Sequence, residues 1–467
     1  MHDKNKKVLG GNLLIKNGII VYPEGFIKAD ILIEEGIIKV LGRDLIKSDP
    51  SYEVIDATNK LIFPGIIDEH VHFREPGLEY KDNIENGSKA AAIGGVTTVF
   101  DMPNTVPPVT DPSTFKQKAD IFSLKSYVDY GLYAVLLDSN LHEIPSLIKM
   151  GAIGLKCFLG PTTGNLPSPN IRTIYEAMEL SAKIGFPIAF HAEEREIIEL
   201  LYERTKALKE VNLRSIINIR PPITEELAIR KIALIARHTG GKAIILHISS
   251  RNAIDALKEE KLNGTKIYAE TCPHYLLFQA EDYQEYGSLI KVYPPIRERH
   301  HREALINAIK IGLIDTLGSD HAPHTVEEKM NPDPLASAAG IIGVQTLFPL
   351  MLDMALKEII PLTKLPLLLS RNPAKIFGIY PKKGEIQVGS YGDIVIIDPN
   401  KETVISRENL VAKYPISPYI GWKLKGKIIY TIIRGEIIAY NGEIISKRPK
   451  GILITRKIGE EESHDIR

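Results

Sequence analysis

The feature that most restricts this chain is the alternation of two hydrophobic periods along its middle. From Phe63 onward, short apolar β-type runs recur: GVTTVFDM, YGLYAVLL, IGLKCFL, PIAFHAE, AIILHIS, KIYAET and IDTLGSD. Most are separated by amphipathic stretches of helical period such as IRTIYEAMELSAKIG and ITEELAIRKIALIARHTG. Strands that alternate with helices build a parallel sheet from βα units. About seven or eight units over roughly 300 residues fit a closed TIM-like (β/α)8 barrel better than an open doubly wound sheet.

The flanks read differently. ADILIEEGIIKVLG places two β-rich runs around Glu35 and Gly36 as a hairpin, and similar runs fill residues 12–62. After residue 382 strands return, punctuated by Gly and Asn, in KGEIQVGSYGDIVIIDPNKETVI and LKGKIIYTIIRGEIIAYNGEI. The expected architecture is therefore α/β. Residues 63–381 form the barrel, and residues 1–62 and 382–467 together form one small β-sandwich domain.

Composition narrows the function. Lys+Arg and Asp+Glu both number 58, so no net positive field exists to hold nucleic acid or an acidic membrane surface. No run of about 18 apolar residues could span a bilayer. The 2 cysteines, Cys157 and Cys272, cannot frame a disulfide scaffold and suit a reducing compartment. These features point to a cytoplasmic protein with a small-molecule partner.

The histidines carry the chemistry. His70 and His72, two apart in DEHVHF, project from the same face of a strand that follows the apolar run LIFPGII. Barrel active sites gather at the C-terminal ends of the strands. His191 ends PIAFHAE, His247 ends AIILHIS and Asp320 ends IDTLGSD. Any one alone reads as a core or loop residue; together, on a closed sheet, four imidazoles and a carboxylate converge as metal ligands. Lys156, in GLKCFLG, needs a reason to sit in an apolar run. It either pairs with a barrel carboxylate or is a desolvated, nucleophilic amine, which CO₂ would convert to a carbamate able to bridge two metal ions. Arg74 follows His72 by two and points the same way, where a guanidinium suits bidentate capture of a carboxylate. Its alternative is a salt bridge with Glu75 or Glu79. Of the remaining histidines, His274 reads as core or support, His321 as facing away from the site, and His2, His142, His238, His300, His301 and His464 as surface or loop.

DEHVHFREPGLEYKDNIENGSKAAAIGGVTTVFDMPNTVPPVTD, GLKCFLG, FHAEE, LHISS, ETCPHYL and LGSDHAPH, in that order, resemble the cyclic amidohydrolases, most closely the dihydroorotases. The resemblance implies two Zn²⁺ ions, one on His70, His72 and Asp320 and one on His191 and His247, bridged by carboxylated Lys156. It implies a metal-bridging hydroxide as nucleophile and Asp320 as general acid/base. It implies that Arg74, Asn104 and His324 clamp a substrate carboxylate, although Asn104 beside Pro103 also reads as turn chemistry. Thr162 and Thr163, in PTTGNL, resemble the contacts of a loop that closes on substrate, and also read as an ordinary turn. Tyr293 stands where the family has Asn in an NPPLR motif. Ala338, with Gly340, lies in a strip whose backbone meets substrate and replaces an expected Pro, while Gln345 replaces a Glu. The implied activity is interconversion of (S)-dihydroorotate and N-carbamoyl-L-aspartate in pyrimidine synthesis. Allantoinase or dihydropyrimidinase/hydantoinase activity is the alternative, and a non-catalytic scaffold the remote one. A homodimer and association with aspartate carbamoyltransferase are partners known among such relatives.

Overall fold

The computed structural model describes residues 10–46, 49, 51–162, 164, 166–208 and 210–456. Eight parallel strands lie side by side in chain order: Ile66–Val71, Val96–Asp101, Asp129–Val135, Gly154–Phe158, Pro187–His191, Lys242–Ile245, Ile267–Thr271 and Thr316–Leu317. The eighth strand is only 2 residues long, and closure falls to the segment after it. There Val71 and His321 form a parallel bridge, His72 N–H donates to His321 O at 2.8 Å, and Ser319 N–H reaches Asp68 Oδ1 at 3.0 Å. The barrel is thus nearly closed, as the alternation of periods required.

The intervening helices follow from local sequence. Ile171–Ile184 buries Ile174, Ala177, Met178, Ser181 and Ile184, one stripe at helical spacing that faces the barrel wall. Asn170 caps its start by accepting the Thr173 N–H at 3.0 Å. Gly185 ends it at φ +85°, a left-handed backbone that costs glycine nothing.

The small domain is one hydrogen-bonded sheet of 9 strands drawn from both flanks. Its hairpin joins Gly25–Glu34 to Ile37–Gly42 through Glu35 and Gly36, both at positive φ, the two-residue turn whose twist matches the strands. Leu61–Pro64 joins the two flanks, pairing parallel with Leu13–Tyr22 and antiparallel with Ile394–Val404. Inward-facing Leu13, Ile15, Ile31, Ile33, Ile62, Ile394, Ile396 and Ile432 give this domain a core separate from the barrel's.

Two contacts weld the domains beneath the barrel. Asp129, at the N-terminal end of the third barrel strand, accepts from Lys383 Nζ at 2.7 Å and from Arg434, while Asp393 pairs with the same lysine and accepts the Arg434 N–H at 2.8 Å. Past the sheet, the chain returns to the barrel. Tyr130 N–H donates to Ile452 O at 3.0 Å, Ile454 N–H to Tyr130 O at 2.7 Å, and Ile452 N–H to Asp129 Oδ1 at 3.0 Å.

Candidate active site

The C-terminal ends of the strands deliver the expected residues to one cleft. His70 lies at the end of the first strand, Lys156 in the fourth, His191 ends the fifth, and His247 and Asp320 follow the sixth and eighth. All of them line an inner chamber of about 50 Å³, together with His72, Arg74, Asn104, Phe158, Thr162, Tyr293, Ala322, Ala339 and Gly340. Arg74, His247 and Asp320 have φ of +70°, +42° and +47°, left-handed conformations that non-glycine residues adopt only where the surroundings enforce them.

Hydrogen bonds set the tautomers. His70 donates from Nδ1 to Glu270 Oε1 at 2.9 Å, His72 from Nδ1 to Asn104 Oδ1 at 2.8 Å, and His191 from Nε2 to Glu193 Oε2 at 2.8 Å. Each bond ties down the nitrogen turned away from the cleft, leaving the inward one bare. His70 Nε2 and His72 Nε2 then face Asp320 Oδ1 at 3.2 and 3.3 Å, and His191 Nδ1 faces His247 Nε2 at 3.0 Å. Burial alone would raise Asp320, but the imidazoles of His70 and His72 outweigh it and hold this carboxyl well below its ordinary value, hence ionised. Burial lowers His72 to about 4 and His191 and His247 well below their ordinary value, so all three are neutral.

Inward imidazole nitrogens and a carboxylate oxygen so close together need either a shared proton or a cation among them. One ligand atom each from His70, His72 and Asp320 falls within 4.8 Å of the others, as a metal site requires. The oxygen acceptors behind three of the four imidazoles are the outer partners that metal-binding histidines use. The donor set therefore fits a metal centre.

Lys156 is buried and, among the described residues, forms no hydrogen bond or ion pair; its Nζ lies 5.0 Å from the Phe158 ring centroid. Burial lowers its amine to about 8. The salt-bridge alternative for this lysine is therefore absent, and an amine that is neutral in appreciable part near neutrality is one able to react with CO₂.

Arg74, too, forms no salt bridge among the described residues. Its Nε donates to Pro323 O at 3.0 Å and its Nη2 to His324 Nε2 at 3.3 Å, so neither Glu75 nor Glu79 holds it. Burial lowers it only to about 10, leaving the guanidinium charged. His324 donates from Nδ1 to Glu328 at 3.2 Å and, with Ala338, lines an adjoining outer chamber of about 570 Å³ rather than the inner one. Thr162, Tyr293 and Ala339 border both chambers. Thr163 lies outside the described residues, as do His2 and His464. Gly340 closes the inner wall at φ +150°, where a Cβ would come 2.5 Å from Ala322 O.

Several working residues escaped the sequence reading. Glu270 accepts from His70 and from the His247 N–H at 3.1 Å, yet nothing in KIYAET marks it. Glu193 had a signal, since it follows His191 by two; it holds that imidazole and pairs with Arg220, whose guanidinium stacks 3.7 Å above the Tyr293 ring and also donates to Pro161 O. Asn104 presents its carbonyl oxygen to His72, an engagement the clamp reading did not include. Gln345 sits away from the cleft and binds Asn409 O and the Val411 N–H. His301, expected at the surface, is buried because its Nδ1 accepts the Arg251 N–H at 2.9 Å.

Comparison with known proteins places this geometry. The chain is 34% identical over 446 residues to an allantoinase of Deinococcus radiodurans, covering 95% of this chain and 98% of that one. It is 37% identical over 464 residues to a dihydroorotase of Pyrococcus furiosus, covering 98% and 99%. An L-hydantoinase (dihydropyrimidinase) structure from Arthrobacter aurescens superposes with a TM-score of 0.93 at 31% identity, covering 96% and 100%. The amidohydrolase family profile matches residues 61–438, which span every barrel strand and every cleft residue described above, and the chain belongs to that family.

Proposed function

We propose that this protein is a dihydroorotase, a hydrolase of a cyclic amide that interconverts (S)-dihydroorotate and N-carbamoyl-L-aspartate in pyrimidine biosynthesis. Relatives named for the opening of small cyclic amides support the broader reaction. The single observation that carries the choice of ring is Arg74, a buried guanidinium in the inner chamber that forms no salt bridge among the described residues. Burying a charge unpaired is costly, and a substrate carboxylate would offset that cost through a bidentate bond. Dihydroorotate carries such a group.

His70, His72 and Asp320 would hold one Zn²⁺, and His191 and His247 the second, with Lys156 carboxylated between them. Zinc in such a donor set supplies Lewis acidity and activates water near neutral pH. Asp320, kept ionised, accepts the proton of the attacking water and returns it to the ring nitrogen as the amide bond breaks. Arg74 fixes the ring by its carboxylate, with Asn104 and His324 beside it. Thr162, Tyr293 and Gly340 enclose the remaining edge, with Ala338 on the outer side of the same wall. Glu270, Asn104 and Glu193 hold the imidazoles in the tautomers the reaction needs.

A second reading, allantoinase or hydantoinase, is favoured by Asn104 and Tyr293. The Asn104 oxygen is engaged by His72, and the Tyr293 ring is covered by Arg220, so two expected contacts to dihydroorotate are altered. Incubation with dihydroorotate, allantoin and dihydrouracil, before and after chelation, separates the readings. Dihydroorotate is expected to be turned over fastest and chelation to abolish activity. Arg74→Ala is expected to lower kcat/KM for dihydroorotate by about 10²-fold or more. An unchanged value overturns the choice of ring.

A further inference from the structure

The segment 334–340 borders the outer chamber, its last residues reach the inner one, and two buried lysines hold it from behind. Lys291 Nζ donates to Pro334 O at 2.7 Å, Leu335 O at 3.2 Å, Ser337 Oγ at 3.3 Å and Ser337 O. Lys329 Nζ donates to Ala338 O at 3.2 Å and to Lys291 O at 3.0 Å, and that same carbonyl accepts the Gly340 N–H at 2.9 Å. Among the described residues no carboxylate bonds either ammonium. A buried charge with no counter-ion is expensive; Lys291 offsets it with three carbonyls and the Ser337 hydroxyl, while burial beside Lys291 pushes the Lys329 amine well below its ordinary value.

That gathering has a directional result. With the carbonyls of 334, 335, 337 and 338 drawn onto the ammoniums, the segment turns other groups toward the site. Ala339 borders both chambers, its N–H has no acceptor among the described residues, and its carbonyl lies 3.1 Å from His324 Nε2. A neutral side chain at 291 could fill the space but could not satisfy four converging oxygens.

We propose that Lys291, assisted by Lys329, is a positioning residue: its ammonium gathers the carbonyls of Pro334, Leu335 and Ser337 and so sets the Ala339 N–H and the Ala338–Gly340 wall against the substrate ring. The role of the wall rests on the ring-binding reading above; the lysine's hold on the segment does not. The strap contacts the ring in ground state and transition state alike, so its loss raises KM and leaves kcat.

The test uses the full-length, metal-replete protein carrying Lys291→Met or Lys291→Arg. Amide hydrogen exchange is read across residues 331–341, and steady-state kinetics are measured on whichever cyclic amide the wild type opens fastest. In Lys291→Met the hydrogen-bonded amides of Leu335, Ser337, Ala338 and Gly340 are expected to exchange at least 10-fold faster while those of the barrel strands stay protected, with KM raised 10-fold or more and kcat within 3-fold. Lys291→Arg, which keeps a charge, is expected to recover part of both changes. Unchanged exchange and KM in Lys291→Met overturn the proposal, as does a fall in kcat alone or a loss of protection spread over the whole barrel. Should Lys291→Met not fold, Lys329→Met is read by the same measures and the same criteria. Strap exchange that responds as expected in a protein inert toward dihydroorotate sinks the substrate assignment and leaves the positioning role standing.

Discussion

Two buried polar clusters sit at opposite ends of the same barrel and are built on opposite terms. Below, Asp129, Lys383, Asp393 and Arg434 satisfy one another so fully that, among the described residues, only Arg434 Nε lacks an acceptor. Above, among the described residues, the cleft leaves His247 Nδ1, Glu193 Oε1 and Glu270 Oε2 without partners, and Lys156 Nζ without hydrogen bond or ion pair. Buried polar groups are ordinarily paired, so a place where pairing fails on this scale marks a site that awaits other atoms. The lower cluster holds domains together; the upper one is held ready by the scaffold around it.

Breaking each cluster should therefore give opposite signatures. Lys156→Met is expected to lower turnover by about 10³-fold or more if Lys156 is the bridging ligand proposed above, while Tm stays level or rises, since a buried amine without a salt bridge has been replaced by an apolar isostere. Thermal unfolding beside a turnover assay checks both halves. Asp129→Asn should do the reverse. It leaves the buried Arg434 guanidinium without a carboxylate and Lys383 with Asp393 alone, and is expected to cost about 3–5 kcal/mol of stability, read by denaturant unfolding, with kcat of the folded fraction unchanged.

A smaller effect sharpens the contrast within the upper site. Glu193→Gln loosens His191 without removing a ligand, and a fall of about 10–100-fold in metal affinity is expected in competition with a chelator. The last effect is one of pH. The Lys383 ammonium and Arg434 guanidinium hold the Asp129 carboxyl below its ordinary 3.8, although burial opposes them. Its stabilisation is present in full above about 3.8 and is lost as pH falls through the lower folded value, so acid should loosen the domain junction there. A Tm series from pH 6 to 3, flat in that range for Asp129→Asn, checks the assignment.

What the sequence disclosed divides along similar lines. The barrel strands and His70, His72, Lys156, His191, His247 and Asp320 were legible because strand ends and two-residue spacing are local patterns with one geometric meaning. Glu270 and Arg220 were not, because their meaning arises only when the barrel closes and brings them to residues 200 and 27 positions away. His301 misled for the same reason, since its acceptor role depends on a helix start 50 residues earlier. The lower cluster gave no sign at all. Asp129, Lys383 and Arg434 each sit in unremarkable strand or loop sequence, and only their meeting across as many as 305 positions makes them a unit.

The return of residues 452–454 to the third strand has a consequence for how the chain comes to be made. Asp129 and Ile452 are 323 positions apart, so at about 5–20 residues per second a ribosome needs roughly 15–65 s between synthesising the carboxylate and supplying its last donor. Its other partners, Lys383 and Arg434, come 254 and 305 positions after it, so until they are made Asp129 must stay hydrated or borrow a partner, and the nascent barrel keeps a wet seam at its base. A barrel excised at residues 63–381 would carry that seam permanently, which makes the tail a fastening as much as an ending.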